Sequence, residues 1–173
     1  MRTHILRGIG LVAATALATA ALAAPAEAGG RGHPKPYCVA VSADGVGQDQ
    51  GGGNTTATLS VQGDPIGTTR AAFTLGTISG TAAPFTGPLV FTPNRVPGTL
   101  TAQLTGTFDV VSGVFTATST SVTGTRALGG VTGAITIRGA ENFADGTFTE
   151  TLTGQLCVAH GHRRTLQRAV AGS

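Results

Sequence analysis

Leu100-Thr101-Ala102-Gln103-Leu104-Thr105-Gly106-Thr107-Phe108-Asp109-Val110 decides how this chain is read. Its even positions are apolar or glycine, and its odd positions are hydroxylated, amide or acidic, a period of two. Successive strand residues point to opposite faces, so the segment presents one apolar face and one hydroxyl-rich face. The pattern returns over residues 147–158, with Phe148, Leu152, Leu156 and Val158 on one parity and Thr147, Thr149, Thr151, Thr153 and Gln155 on the other. Two such segments predict a β-protein.

The flanking sequence extends the pattern. Residues 55–62 alternate through Ala57, Leu59 and Val61, and residues 69–79 through Ala71, Phe73 and Leu75. With Gly63, Asp64, Pro65 and Gly67 turning between them, they read as a hairpin. Residues 37–41 form a first short strand carrying Cys38. Residues 44–54, which include Gly51, Gly52 and Gly53, read as a flexible loop because so much glycine holds no element. Pro84, Pro88, Pro93 and Pro97 break residues 81–98, leaving an edge strand at 89–91. Residues 114–123 and 134–138 are further strands, the second followed by a turn over 140–146. Only 165–170 carries a weak helical period. About eight antiparallel strands of meander type make a closed β-barrel, with a β-sandwich as the alternative; closure removes the exposed edges of threonine-rich strands.

At the N-terminus Arg2, His4 and Arg7 precede an apolar run over 9–24, and Ala26, Glu27 and Ala28 offer a small-x-small cleavage site. Residues 1–28 therefore read as a secretory signal peptide, and the run is short of the ~20 residues of a spanning helix. A secreted product with no transmembrane segment is expected: a Gly-, Pro- and Lys-containing arm over 29–36, one barrel domain over 37–158 and a basic C-terminal tail over 159–173. After residue 28 the chain holds 25 Gly and 26 Thr, no Trp, and Tyr37 as its single tyrosine. Ten Arg against one Lys suits a GC-rich bacterial gene.

The formal charge of +3 and pI of 9.5 belong to the ends. Between Cys38 and Cys157 four arginines face seven acids, whereas Arg163, Arg164 and Arg168 follow the body. A basic tail suits an anionic envelope polymer or membrane surface, or simply solvent. An acidic body with few aromatics argues against nucleic acid. Cys38 and Cys157 are the only cysteines, one near each end of the domain, in a chain read as exported, and a disulfide between them is expected. Closing so long a loop contributes about 4–5 kcal/mol in chain-entropy terms.

Residues 124–133 read Gly124-Thr125-Arg126-Ala127-Leu128-Gly129-Gly130-Val131-Thr132-Gly133. This stretch resembles the glycine-threonine-glycine-x-aromatic-x-x-alanine-x-glycine signature of dirigent proteins and the related allene oxide cyclase-like barrels. Arg126 stands for the second glycine, Leu128 for the aromatic and Val131 for the alanine. The resemblance implies an eight-stranded antiparallel barrel whose lumen admits a small apolar or phenolic molecule. None of the family's catalytic residues is placed here by motif match.

Glu150 breaks its own pattern, sharing parity with Phe148, Leu152 and Leu156. A carboxylate on an apolar face must be paired, wet or protonated. Glu150 is therefore a candidate lumen ligand-binding group, with Arg126 or Arg138 as its partner and Phe108 and Phe148 as apolar lining. The same position also suits a structural ion pair, a bulge that turns it outward, or a barrel-mouth site. Every histidine lies outside the cysteine-bounded body, and no Gly-x-Ser-x-Gly elbow occurs, which argues against a hydrolase. His160 and His162 on a glycine-containing tail are not read as a metal site, and no cofactor is expected.

The leading expectation is a non-hydrolytic barrel that binds a small apolar or phenolic ligand and at most steers its cyclisation or coupling by confinement. The rival is a structural or adhesive envelope protein with a packed barrel and a basic binding tail. An open cavity of a few hundred Å³ lined by Glu150 separates the two. The sequence leaves an oligomer open.

Overall fold

A computed structural model describes residues 35–172. The expected signal peptide, and residues 29–34 of the expected arm, lie outside the described residues. The described chain forms strands β1 (Tyr37–Gly51), β2 (Asn54–Val61), β3 (Asp64–Ala72), β4 (Thr74–Leu75), β5 (Ala82–Pro93), β6 (Leu100–Asp109), β7 (Val114–Ser119), β8 (Val122–Gly124), β9 (Thr132–Asn142) and β10 (Thr147–Val158), followed by helix α1 (Arg163–Val170).

All strand pairings are antiparallel, and they close on themselves. Strands β1, β2, β3, β5, β6, β7, β9 and β10 each pair with the next, and β10 returns to β1, giving an eight-stranded up-and-down barrel. The sandwich alternative is thereby set aside. The two remaining strands are continuations. Past a break at Phe73, β4 resumes the path of β3 along β5; past Thr120 and Ser121, β8 resumes the path of β7 along β6. The predicted single strand over 114–123 is thus real but interrupted.

Three stretches depart from the sequence reading. Residues 44–51 are not a loop: β1 runs through them, paired with β10 on one side and β2 on the other. Gly45 and Gly47 are there because large side chains from β10 occupy the space their Cβ atoms would need. Strand β5 is no edge, because it pairs with β6 from Ala82 to Phe91 and on its other side with β3 from Leu89 to Pro93 and with β4 at Phe85 and Thr86. The Pro84 carbonyl accepts from the Gly76 amide, so its nitrogen faces the β3–β4 side, as does that of Pro88 on the same parity. Gly87 and Pro88 lie opposite the break between β3 and β4, where a missing N–H costs no ladder bond. Strand β9 extends to Asn142, so the expected turn shrinks to residues 143–146.

Hairpin turns are tighter than expected. Val61 pairs with Asp64, leaving Gln62 (φ 53°) and Gly63 (φ 89°) as a two-residue turn. Gly52 and Gly53 do the same between β1 and β2. Positive φ at both central residues matches the twist of the flanking strands.

The inward face carries Leu59, Leu89, Phe91, Leu100, Leu104, Ile135, Leu152 and Leu156, all buried. Threonines such as Thr58, Thr68, Thr151 and Thr153 point out, exposed. β-Branched side chains suit such a pleated outer surface. An apolar inside and a hydroxylated outside invert the arrangement of a membrane-spanning barrel. Among the described residues no helix is long and apolar enough to cross a membrane.

The barrel's outer seam is covalent: Cys38 and Cys157 face each other directly across β1 and β10 and form the expected disulfide. At the end of the barrel holding Tyr37 and Val158, the last residues fold back as α1. Leu166 and Ala169 are fully buried there, Gln167 Nε2 donates to the Tyr37 hydroxyl at 2.9 Å, and the Arg163 guanidinium lies 4.4 Å above the Tyr37 ring. An eight-residue helix is not stable alone, so burial of Leu166, about 1.5–3 kcal/mol, holds it in place.

Candidate functional site

The lumen divides into two unequal halves. Near α1, Leu59, Ile66, Phe91, Leu100, Leu152 and Leu156 pack around a void of only about 50 Å³. Toward the other end a cavity of about 160 Å³ opens, walled by Phe73, Phe85, Phe108, Phe115 and Phe148 and floored by Leu104, Ala117 and Ile137. Phe115 and Phe148 meet edge to face with centroids 6.1 Å apart, and Phe73 and Phe85 at 4.9 Å. Phe73, Phe108 and Phe115 are only half-buried, which places the mouth at this end.

Glycines opposite the large side chains make this space. Gly106 pairs with Phe85, Gly47 with Phe148, and Gly139 with Phe115. A Cβ at Gly106 would sit 2.6 Å from the Phe85 ring, and Cβ atoms at Gly47 and Gly139 would collide with the rings of Phe148 and Phe115. Each ring lies down over a neighbouring glycine, covering backbone that the glycine leaves bare.

Glu150 is placed by the same device. Strand β10 keeps its register with both β1 and β9 throughout, so no bulge turns Glu150 outward. Its cross-strand neighbours are Gly45 on β1 and Gly139 on β9. The side chain is 8 % exposed, and its Oε1 has no hydrogen-bond partner among the described residues. Burial pushes its carboxyl up to about 7. The group therefore changes charge near neutrality, in an apolar pocket.

Two more carboxylates line the cavity. Glu141, at the end of β9, is raised by burial and, secondarily, by the negative charge of Asp49. Asp49 Oδ1 accepts from the Gly51 amide at 2.8 Å, tying it to the β1–β2 turn. No lysine, arginine or histidine among the described residues lines this space.

The structure brings Glu150, Phe108 and Phe148 together and leaves the two arginines out. Arg138 is exposed on the outer face of β9 opposite Thr151, and Arg126 is exposed in a 3-10 turn beyond β8. The expected arginine partner of Glu150 is therefore corrected: period two sends Arg138 outward, and Arg126 lies in the connection between β8 and β9, away from the lining of the cavity. Sequence reasoning missed Phe73, Phe85, Phe115, Asp49 and Glu141 as cavity residues. Phe85 shares the parity of Ala83 and Leu89, a signal that the neighbouring prolines masked. Asp49 and Glu141 fell in segments read as a loop and a turn. Among the described residues no three His, Cys, Asp or Glu side chains are grouped to hold a metal ion.

The cavity is smaller than the few hundred Å³ set as a criterion above, though Glu150 lines it as expected. Closed apolar cavities of ~150 Å³ take up benzene, which sets the scale as one ring. Comparison with models of known protein families finds no match for this chain, and comparison with curated proteins finds none.

Proposed function

We propose that this is a secreted, disulfide-closed barrel that holds one ring-sized apolar or phenolic molecule in its lumen, in the manner of the dirigent and allene oxide cyclase-like barrels that residues 124–133 resemble. The carrying observation is Glu150: a buried side chain between two cross-strand glycines, lining an aromatic cavity, whose Oε1 has no hydrogen-bond partner among the described residues. A polar group left unsatisfied in a core is costly, and a ligand that supplies its partner removes that cost. The disulfide favours an oxidising compartment, which supports secretion.

Volume narrows the chemistry. Coupling of two rings needs room for both, and the cavity holds one. The reading is therefore binding, with steering limited to fixing the pose of a single molecule. Isotope-labelled Leu104 and Ile137 methyls, followed by NMR while benzene, toluene and phenol are added, test it. Saturable shifts confined to cavity residues are expected; unchanged spectra at millimolar ligand would end the proposal.

The rival reading, a structural barrel gripping an anionic polymer, draws on Arg164 and Arg168, which are exposed on α1. The same helix spends its apolar residues plugging the barrel, so a polymer would meet a docked basic face and not a loose tail. Binding to an anionic polysaccharide that survives Arg164→Gln with Arg168→Gln would remove this alternative.

A further inference from the structure

Resting on the lumen reading above, we propose that the bound ring carries an ammonium group, so that the ligand class is a small aryl or arylalkyl amine paired with Glu150. Three observations lead there. Every titratable side chain on the cavity wall is a carboxylic acid: Glu150 inside, with Asp49 and Glu141. Five of the seven phenylalanines stand on the same wall, and aromatic rings attract a desolvated cation as well as an apolar ring. Glu150 Oε1 has no hydrogen-bond partner among the described residues and the side chain is more than nine-tenths buried, so an acceptor stands ready for a ligand's donor.

Charge then selects among ring-sized molecules. An anionic ligand would meet a wall whose titratable groups are all acids, with no cation among the described residues that line it. A neutral hydrocarbon ring would fill the volume and leave an ionised Glu150 unpaired. A hydroxyl donor can pair with Glu150, but a cation both pairs with its ionised form and cancels its charge where water is scarce, and such a charge-assisted bond is the stronger kind. The acids are not arranged to chelate a metal ion. Gly45 leaves room for the carboxyl: a Cβ there would stand 2.9 Å from Oε1 and take up the space beside it.

Calorimetric titration of the oxidised protein with benzylammonium, benzyl alcohol and benzoate tests the idea. At about pH 8 benzylammonium is expected to bind at least about tenfold more tightly than benzyl alcohol, with benzoate not binding. The preference should shrink at about pH 5, where Glu150 takes up its proton while the amine keeps its own. Asp49 and Glu141 face the same space, so Glu150→Gln is compared with Asp49→Asn and Glu141→Gln; the loss should fall on the first. Glu150→Gln should abolish the preference for the amine, and a circular dichroism spectrum and cooperative unfolding like the parent's show that the variant is folded. Equal binding of amine and alcohol, or a preference untouched by Glu150→Gln, overturns this inference and leaves the lumen site standing. No binding by any of the three overturns both.

Discussion

Gly45 lies directly across the β1–β10 ladder from Glu150, and a Cβ at Gly45 would stand 2.6 Å from the Glu150 Cγ. The carboxyl occupies space that a glycine vacates. Gly45→Ala keeps an ordinary strand backbone, so its effect is steric and local. It should destabilise the protein by about 1–3 kcal/mol, with Glu150→Ala in the same chain recovering part of the loss. Urea denaturation of the two singles and the double gives the coupling, and strict additivity would mean that the two residues do not compete for space.

Glu150 also sets a pH dependence. Its folded value of about 7 lies above the ordinary 4.5, so the folded state holds the proton more tightly. The resulting stability is fully present below pH 4.5 and is lost as pH rises through 7. Glu150→Gln should therefore be more stable than the parent at about pH 8, by about 3 kcal/mol as an order of magnitude, and close to it at about pH 4. Asp109, held down to about 2 by Thr81 and the turn amides, works in a lower window and leaves this comparison alone. Parallel denaturation curves at the two pH values check it, and equal stability at both would refute the burial argument.

The disulfide joins the outer faces of β1 and β10, with Cys38 exposed. Replacing both cysteines by serine should cost about 4–5 kcal/mol through the freed chain while leaving the cavity intact. Thermal unfolding reads the first effect and benzyl alcohol affinity the second. A large fall in affinity would show that the seam shapes the lumen.

Helix α1 should be the first element to leave. Leu166→Ala removes its fully buried anchor and is expected to cost about 2–5 kcal/mol. Limited proteolysis should then cut near Arg163 and Arg164 before any strand is touched. Cleavage starting in the barrel would place the weak point elsewhere.

The alternation around Leu104 and Phe148 was enough to establish strands and their inner face, because side-chain parity in a strand is a local property of the backbone, while the inward direction of Glu150 needed the unbroken register of β10 to exclude a bulge. Two cysteines in a chain of this kind were enough to name the disulfide. The path of β1 through Gly45 and Gly47 was not legible. A glycine reads as a loop until the residue that fills its space is known, and Glu150 and Phe148 are about a hundred positions away in sequence. For the same reason the acids of the cavity wall were scattered among a loop, a turn and a strand until closure of the barrel gathered them. Residue order thus decided which side chains point inward; only the wrapping of the sheet decided which of them meet, since cross-strand distance depends on register and not on separation along the chain.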